Sequence, residues 1–173
     1  AHRARYLLLK TDRADLADQL GDGFVRELRY SKSVMDLSGG KDHVWTKVVP
    51  GRTRNKVRNG QKAGVDFKIG RQELLADYYR VIVATQTALG TPVHASRYFA
   101  AILEHNPGAS LVVGYAEAEP VSVALVVVRD GTVYHPYTGT LDAHKPGRVN
   151  NALYWKIVEW GLEHGCHSFD MGR

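Results

Sequence analysis

The chain has 173 residues, 44% of them apolar and 24% charged, with a formal charge of +5. Those proportions exclude a disordered or fibrous chain and leave room for one packed core, or one core and part of a second. No apolar run approaches the ~20 residues of a bilayer span, Tyr6–Leu9 is too short for a signal-peptide core, and the lone Cys166 excludes an intramolecular disulfide, which fits a reducing, cytoplasmic compartment.

Arg5–Lys10 reads as a short buried strand. Arg13–Leu20 has helical spacing behind an Asp12 N-cap, and Phe24–Leu37 reads mostly as strand. Lys41–Val49 predicts a short helix with Val44, Trp45 and Val48 on one face. Thr53–Ala63 predicts a second helix, ended by Gly64. Val65–Ile69 alternates as a strand. Arg71–Leu89 is expected to be the longest helix, its apolar residues keeping the 3.6 period. Ser96 is expected to cap a helix over Arg97–His105, which Asn106-Pro107-Gly108 closes.

The pattern then changes. Ser110–Glu117, Val121–Val128 and Val133–Thr138 read as three strands in antiparallel order. Asp130-Gly131 makes the second turn, since that pair tolerates positive φ. Pro136 inside the third strand implies an edge, a bulge or a strand end. A loop over Gly139–Pro146 leads to a helix over Arg148–His164 and a last strand, His167–Met171. A strand–helix–strand crossover is right-handed and places the last strand parallel to its predecessor. The chain stops directly after a strand, which suggests a piece of a longer protein.

Several chemistries lack a motif. There is no G-x-S-x-G elbow, P-loop, H-E-x-x-H or complete dinucleotide fingerprint. His164-Gly165-Cys166-His167 straddles a helix end and a strand, where its side chains should diverge rather than hold a metal. Arg52–Lys62 holds five cations and no acid. Arg54, Arg58 and Lys62 recur at i, i+4, i+8, so they share a helix face that suits phosphates or is simply solvated. No aromatic residue interleaves these cations, which argues against a single-strand stacking platform.

Tyr134-His135-Pro136-Tyr137-Thr138-Gly139-Thr140 gathers polar and aromatic side chains at a strand end. Tyr137 could orient an amine or shuttle a proton, and His135 could be a general base. Alternatively the two tyrosines cap a core. Lys145-Pro146-Gly147-Arg148-Val149-Asn150-Asn151 opens a helix, whose free N–H groups and dipole favour an anion. Asp170 and Arg173 stand at the C-terminal end of a strand, where they could meet a ligand or pair with each other.

The order and spacing of these pieces resemble the GNAT acyltransferase superfamily, and within it the FemAB-like branch. The residues that carry the resemblance are Arg52–Val65, Tyr137-Thr138-Gly139-Thr140, Asn151-x-Leu153-Tyr154-Trp155 and Phe169-Asp170-Met171-Gly172-Arg173. The chain is also similar to FemAB-like proteins associated with exosortase and exopolysaccharide gene clusters. The resemblance implies an α/β (α+β) fold with a mixed, mostly antiparallel sheet flanked by helices. Residues 1–40 would be the tail of a first GNAT-like subdomain and 41–173 a second, truncated one.

The implied activity moves an acyl or aminoacyl group from an activated (thio)ester to an amine of a cell-envelope or polysaccharide precursor. The best-known members add amino acids from aminoacyl-tRNA to a peptidoglycan precursor. The expected donor is aminoacyl-tRNA or acyl-CoA, with no tightly bound cofactor and no metal. His144-Lys145-Pro146-Gly147-Arg148-Val149 lacks the final small residue of the usual GNAT pyrophosphate loop, which argues against ordinary acetyl-CoA binding. Expected roles are catalysis for Tyr137, Thr138 and Asp170, donor binding for Lys145, Gly147, Arg148, Asn150 and Asn151, and substrate contacts for Arg54, Arg58, Lys62, Tyr134, Trp155 and Arg173. The competing readings are a non-catalytic RNA-binding module built on the basic helix and a degenerate acyltransferase fold serving as a scaffold.

Overall fold

The computed structural model describes residues 7–9, 19–20, 23–25 and 31–172. The chain divides into two units, residues 1–31 and 32–173. In the first unit, Leu7, Leu8 and Leu9 are exposed and in no strand, so the expected buried strand is not formed there. The expected Arg13–Leu20 helix lies almost wholly outside the described residues. Of the strand expected over Phe24–Leu37, residues 26–30 lie outside them, Phe24 and Val25 have no regular structure, and only Val34–Asp36 is extended and paired.

The second unit holds a six-stranded sheet. Its strands are β1 (Val34–Asp36), β2 (Val65–Gly70), β3 (Ala109–Ala116), β4 (Glu119–Arg129), β5 (Thr132–Thr140) and β6 (Ser168–Asp170), in the spatial order β1-β6-β5-β4-β3-β2. Every neighbouring pair is antiparallel except β5 and β6, which are parallel. The helices are α1 (Gly40–His43), α2 (Gly51–Gln61), α3 (Leu75–Ala88), α4 (Ser96–His105) and α5 (Val149–Glu163), the last being the β5-to-β6 crossover. This is the expected mixed α/β class. No helix among the described residues is long and apolar enough to cross a membrane.

Both faces of the sheet are covered. Val112, Ala124, Val126, Val133 and Phe169 point to one face, against Val57 of α2 and Leu153, Ile157 and Trp160 of α5. Leu111, Val113, Val123 and Leu125 point to the other, against Tyr78, Val81 and Ile82 of α3 and Phe99 and Leu103 of α4. The two-residue period of a strand divides neighbours between faces. A strand covered on both sides becomes a continuous apolar run, and this explains Val121–Val128.

Local chemistry moves several boundaries. Lys41–Val49 is not one helix: α1 passes at Val44 into a π-helical turn over Val44–Val48, closed by Val49 N–H donating to Val44 C=O at 2.8 Å. Helix α2 starts at Gly51, with Pro50 as its N-cap residue, rather than at Thr53. Ser96 is the first residue of α4 and does not cap it; Ala95 holds that position with no side-chain bond. Gln72–Leu74 forms a 3-10 turn ahead of α3, so the longest helix is α5 with 15 residues, against 14 in α3.

Candidate active site

The parallel β5–β6 ladder is short. It pairs Thr132 with Ser168, Val133 with Phe169 and Tyr134 with Asp170, and then ends. Beyond Asp170 the chain turns to β1: Met171 N–H donates to Ser33 C=O at 2.8 Å, and Ser33 N–H to Gly172 C=O at 2.9 Å. From His135 onward, β5 therefore pairs only with β4, and the sheet forks. On the β4 side, Leu125 faces Tyr137 while Val127 faces Tyr134, so three steps of β5 match two of β4. This is a bulge, and Pro136 sits in it, exposed and needing no N–H. A fork inside a sheet leaves β5 backbone groups facing an opening instead of a partner strand. Such groups can bind an extended ligand or a developing oxyanion.

Different side chains border the fork on its two faces. On the α5 face, the His135 ring packs edge-on against Tyr154 (centroids 5.0 Å apart) and Phe169 (5.2 Å). Both its ring nitrogens are buried, and neither has a hydrogen-bond partner of normal geometry. Burial holds His135 below the ordinary imidazole pKa, partly offset by the nearby Met171 backbone and Asp170 carboxylate. A neutral imidazole is a competent proton acceptor. Beside it lies a cavity of about 360 Å³ whose lining includes Thr53, Val57, Asn151, Tyr154, Phe169 and Gly172.

Tyr137 faces the α3–α4 side, its ring 5.3 Å from that of Phe99. Its hydroxyl lies 3.3 Å from that of Tyr98. Burial first, and then the Tyr98 hydroxyl, push Tyr137 up to about 12, so it stays protonated at neutral pH. The His94 ring stacks on Tyr98 at 4.2 Å. Tyr78 is fully buried beneath the same cluster; its hydroxyl has no hydrogen-bond partner among the described residues, and burial raises its pKa strongly. Asp170 is buried and held by its surroundings: one carboxylate oxygen accepts Gly172 N–H at 2.9 Å and the other meets Lys32 Nζ at 3.1 Å. Thr138 stands opposite Ala124, whose side chain belongs to the α5-side core. Arg173 lies outside the described residues.

At the start of α5, Arg148 is the N-cap residue in a left-handed conformation, φ 61°, and no side chain caps the helix. Lys145 pairs with Asp142 at 2.5 Å. Gly147, Arg148 and Asn150 are exposed, whereas Asn151 turns into the cavity. Helix α2 lies directly over this first turn. A β-carbon on Gly60 would collide with the Arg148 carbonyl oxygen and press on Ala152, so only glycine admits the approach.

The basic face of α2 is not uniform. Arg54 is an anchor: its Nη1 donates to the carbonyls of Trp45 (3.2 Å), Thr46 (3.2 Å) and Val49 (2.7 Å), tying α2 to the π-helical turn. The Arg58 guanidinium lies 5.4 Å from the centre of the Trp45 ring and donates to Asn55. Lys62 is exposed at the helix end. Among the described residues, no carboxylate lies within ion-pair distance of Arg52, Arg54, Lys56, Arg58 or Lys62. Trp155 is buried, its Nε1–H donating to Glu159 at 3.0 Å, and its ring lies 4.5 Å from Trp45. No aromatic residue interleaves the cations along the helix itself, but Trp45 reaches Arg58 from the preceding turn. Trp45, Tyr98 and His94 carry no motif in the linear sequence; packing alone brings them to these positions.

The His164–His167 stretch diverges as expected. Cys166 is buried, His164 meets the Trp160 carbonyl at 2.7 Å, and His167 is exposed and lies against Gly131. No cluster of three or more His, Cys, Asp or Glu among the described residues could hold a metal.

The β5–α5–β6 crossover thus sets a parallel pair of strands that part beside a helix start, and comparison with known proteins gives this arrangement a family. Residues 51–173 match the family model described as an acetyltransferase (GNAT) domain, and the chain belongs to that family. It is similar in structure to FemX, at 14% identity and a TM-score of 0.73, over 82% of this chain and 52% of that one. It is similar to L-PGS from Bacillus licheniformis at 19% identity and a TM-score of 0.60, over 82% and 44%. An aminoglycoside acetyltransferase, meta-AAC0020, from an uncultured soil metagenomic sample shares 10% identity with a TM-score of 0.53, over 61% and 74%. The chain spans about half the length of the first two. No curated protein matches the sequence.

Proposed function

We propose that the chain is the donor-side half of an N-acyltransferase or aminoacyltransferase. It would move an acyl group from an activated ester or thioester to an amine of a cell-envelope or polysaccharide precursor in the cytoplasm. The observation that carries this reading is the fork at Tyr134↔Asp170 beside a cavity of about 360 Å³. Amine attack on an activated ester needs alignment, donors for the oxyanion and a path for one proton. The β5 backbone at the bulge supplies donors. Neutral His135 accepts the amine proton from the α5 side, Tyr137 gives its hydroxyl proton to the leaving oxygen or sulfur from the other, and water returns the proton from His135 to Tyr137. Thr138 follows the bulge in regular register with Ala124, and Tyr134 and Asp170 fix the point at which the strands part.

The donor enters over the first turn of α5. Asn151 and the apolar lining receive its acyl end, while Lys145, Gly147, Arg148 and Asn150 stand outside for its polar portion. Arg58 and Lys62 meet phosphates, and Arg54 acts mainly by holding α2 in place. Aminoacyl-tRNA fits this arrangement better than acetyl-CoA, because α2 crowds the helix start at Gly60. The envelope acceptor follows from the resemblance to the FemAB-like branch, and the likeness in fold to FemX is in keeping with that branch. The finer assignment to the exosortase- or exopolysaccharide-associated subtype belongs to the same proposal.

The test uses the full chain with radiolabelled aminoacyl-tRNA and acyl-CoAs and a panel of amine acceptors. Transfer that falls by at least tenfold in both His135→Ala and Tyr137→Phe supports the reading. RNA binding with a steep salt slope and no transfer to any acceptor overturns it in favour of a binding module.

A further inference from the structure

A second cleft, which shares Trp155 with the cavity at the fork, lies between α1, α2 and α5. It is about 270 Å³ and is lined by Lys41, Asp42, Trp45, Gln61, Trp155 and Glu159. The Trp45 and Trp155 rings form its aromatic floor, 4.5 Å apart and tilted by 56°. Two of its polar groups are already committed. Glu159 takes Lys41 at 2.7 Å and the Trp155 indole N–H at 3.0 Å, so it presents little uncompensated charge. Two are not. The Asp42 carboxylate and the Gln61 carboxamide make no side-chain hydrogen bond among the described residues, yet both line the cleft. They offer one pure acceptor and one donor–acceptor pair around an aromatic surface, the set that reads the edge of a planar heterocycle.

Charge decides what kind of ring belongs there. Arg58 lies against Trp45, and Arg58, Gln61 and Lys62 follow at i, i+3 and i+4, so all three share one face of α2. The cations of that helix have no carboxylate partners among the described residues. A neutral ring with an anionic tail suits both parts of this surface, the ring meeting Asp42 and Gln61 and the tail the cations of α2.

We infer that the Trp45–Trp155 cleft is a nucleotide subsite, the base resting on the indoles against Asp42 and Gln61, and its phosphate on Arg58 and Lys62. This rests on the reading of a phosphate-bearing donor. It is read out by binding rather than by turnover, so its failure leaves the transferase reading standing. The base and phosphate could belong to a free nucleotide or to an RNA end.

Tryptophan fluorescence of the full chain, excited at 295 nm, is titrated with AMP, adenosine, inorganic pyrophosphate and a single-stranded RNA hexamer. AMP or the hexamer should quench saturably. Affinity should fall about tenfold in Arg58→Ala, the scale of a lost charge-assisted contact, and about tenfold in Trp45→Leu, the scale of a lost stack. Gln61→Ala, at an exposed site, should weaken binding with the melting temperature unchanged, which keeps the test valid if Trp45→Leu unfolds. Adenosine should bind at least tenfold more weakly than AMP. An RNA end is the source if the hexamer binds tenfold or more tighter than AMP, and a free nucleotide if it does not. The inference is overturned if neither AMP nor the hexamer quenches, if Gln61→Ala and Arg58→Ala both bind as the unaltered chain does, or if pyrophosphate binds as well as AMP.

Discussion

Arg54 looks, in the sequence, like the first of three phosphate-binding cations, but the structure makes it a brace. One nitrogen reaches three carbonyls, those of Trp45, Thr46 and Val49, and two of these contacts are partly buried. Truncation to alanine removes all three and leaves the carbonyls at the end of the π-helical turn without a donor. The exposed contact to Thr46 is replaced by water at little cost. The two partly buried ones cost about 1 kcal/mol each, giving a loss of about 2 kcal/mol. For a domain of this size, 1 kcal/mol shifts the melting temperature by roughly 2–4 °C, so Arg54→Ala should melt about 4–8 °C lower. Urea unfolding should show the same loss through its midpoint at an unchanged slope. Arg58→Ala is the control: it loses an exposed bond to Asn55 and a contact with Trp45, and should move by less than about 2 °C. If Arg54→Ala melts with the unaltered protein while donor binding is lost, the brace is wrong and Arg54 is a ligand-binding residue.

Gly60→Ala should destabilise by about 1–3 kcal/mol in chemical denaturation, because its methyl meets the fixed Arg148 carbonyl rather than a movable side-chain tip. His135 is held neutral in the folded protein, and this sets the sign of its pH effect. Stability is full above the unfolded value of about 6.5 and falls as pH drops through the window below it, where the unfolded chain binds the extra proton; His135→Phe should flatten that slope in denaturation curves at pH 4–7. Ser122 and Thr140 form a buried hydroxyl pair at 2.7 Å. Thr140→Val alone should cost about 1–3 kcal/mol by stranding the serine, and Ser122→Ala added to it should recover much of that loss in a double-mutant cycle.

The expected and observed structures agree where side-chain pattern alone decides. The Asp130-Gly131 hairpin, the two-sided burial of Val121–Val128 and the α5 crossover are local or nearly local consequences of sequence. Pro136 announces an irregularity for the same reason, since it cannot donate to a ladder. Disagreements gather where several elements compete for the same groups. The π-helical turn is held by Arg54 of the next helix, which takes the carbonyls at its end. Ser96 fails to cap because the preceding residue, Ala95, already occupies the extended N-cap position.

The basic stripe and the Tyr134–Thr140 segment could both be read from the chain as candidate sites, because charge spacing and polar clustering are properties of neighbours. Their chemistry could not. Whether Tyr137 and His135 face the same side depends on a bulge whose register β4 sets, and the bulge puts them on opposite faces of one fork. Trp45 meets Arg58, and Tyr98 meets Tyr137, across turns and helices that only packing brings together. Sequence determined the Asp130-Gly131 hairpin, the doubly covered strand and the crossover helix, and which surface is basic. Tertiary structure decided where the sheet opens, which cations are committed to carbonyls, and which aromatic rings stand beside those left over, since each depends on contacts between residues distant along the chain.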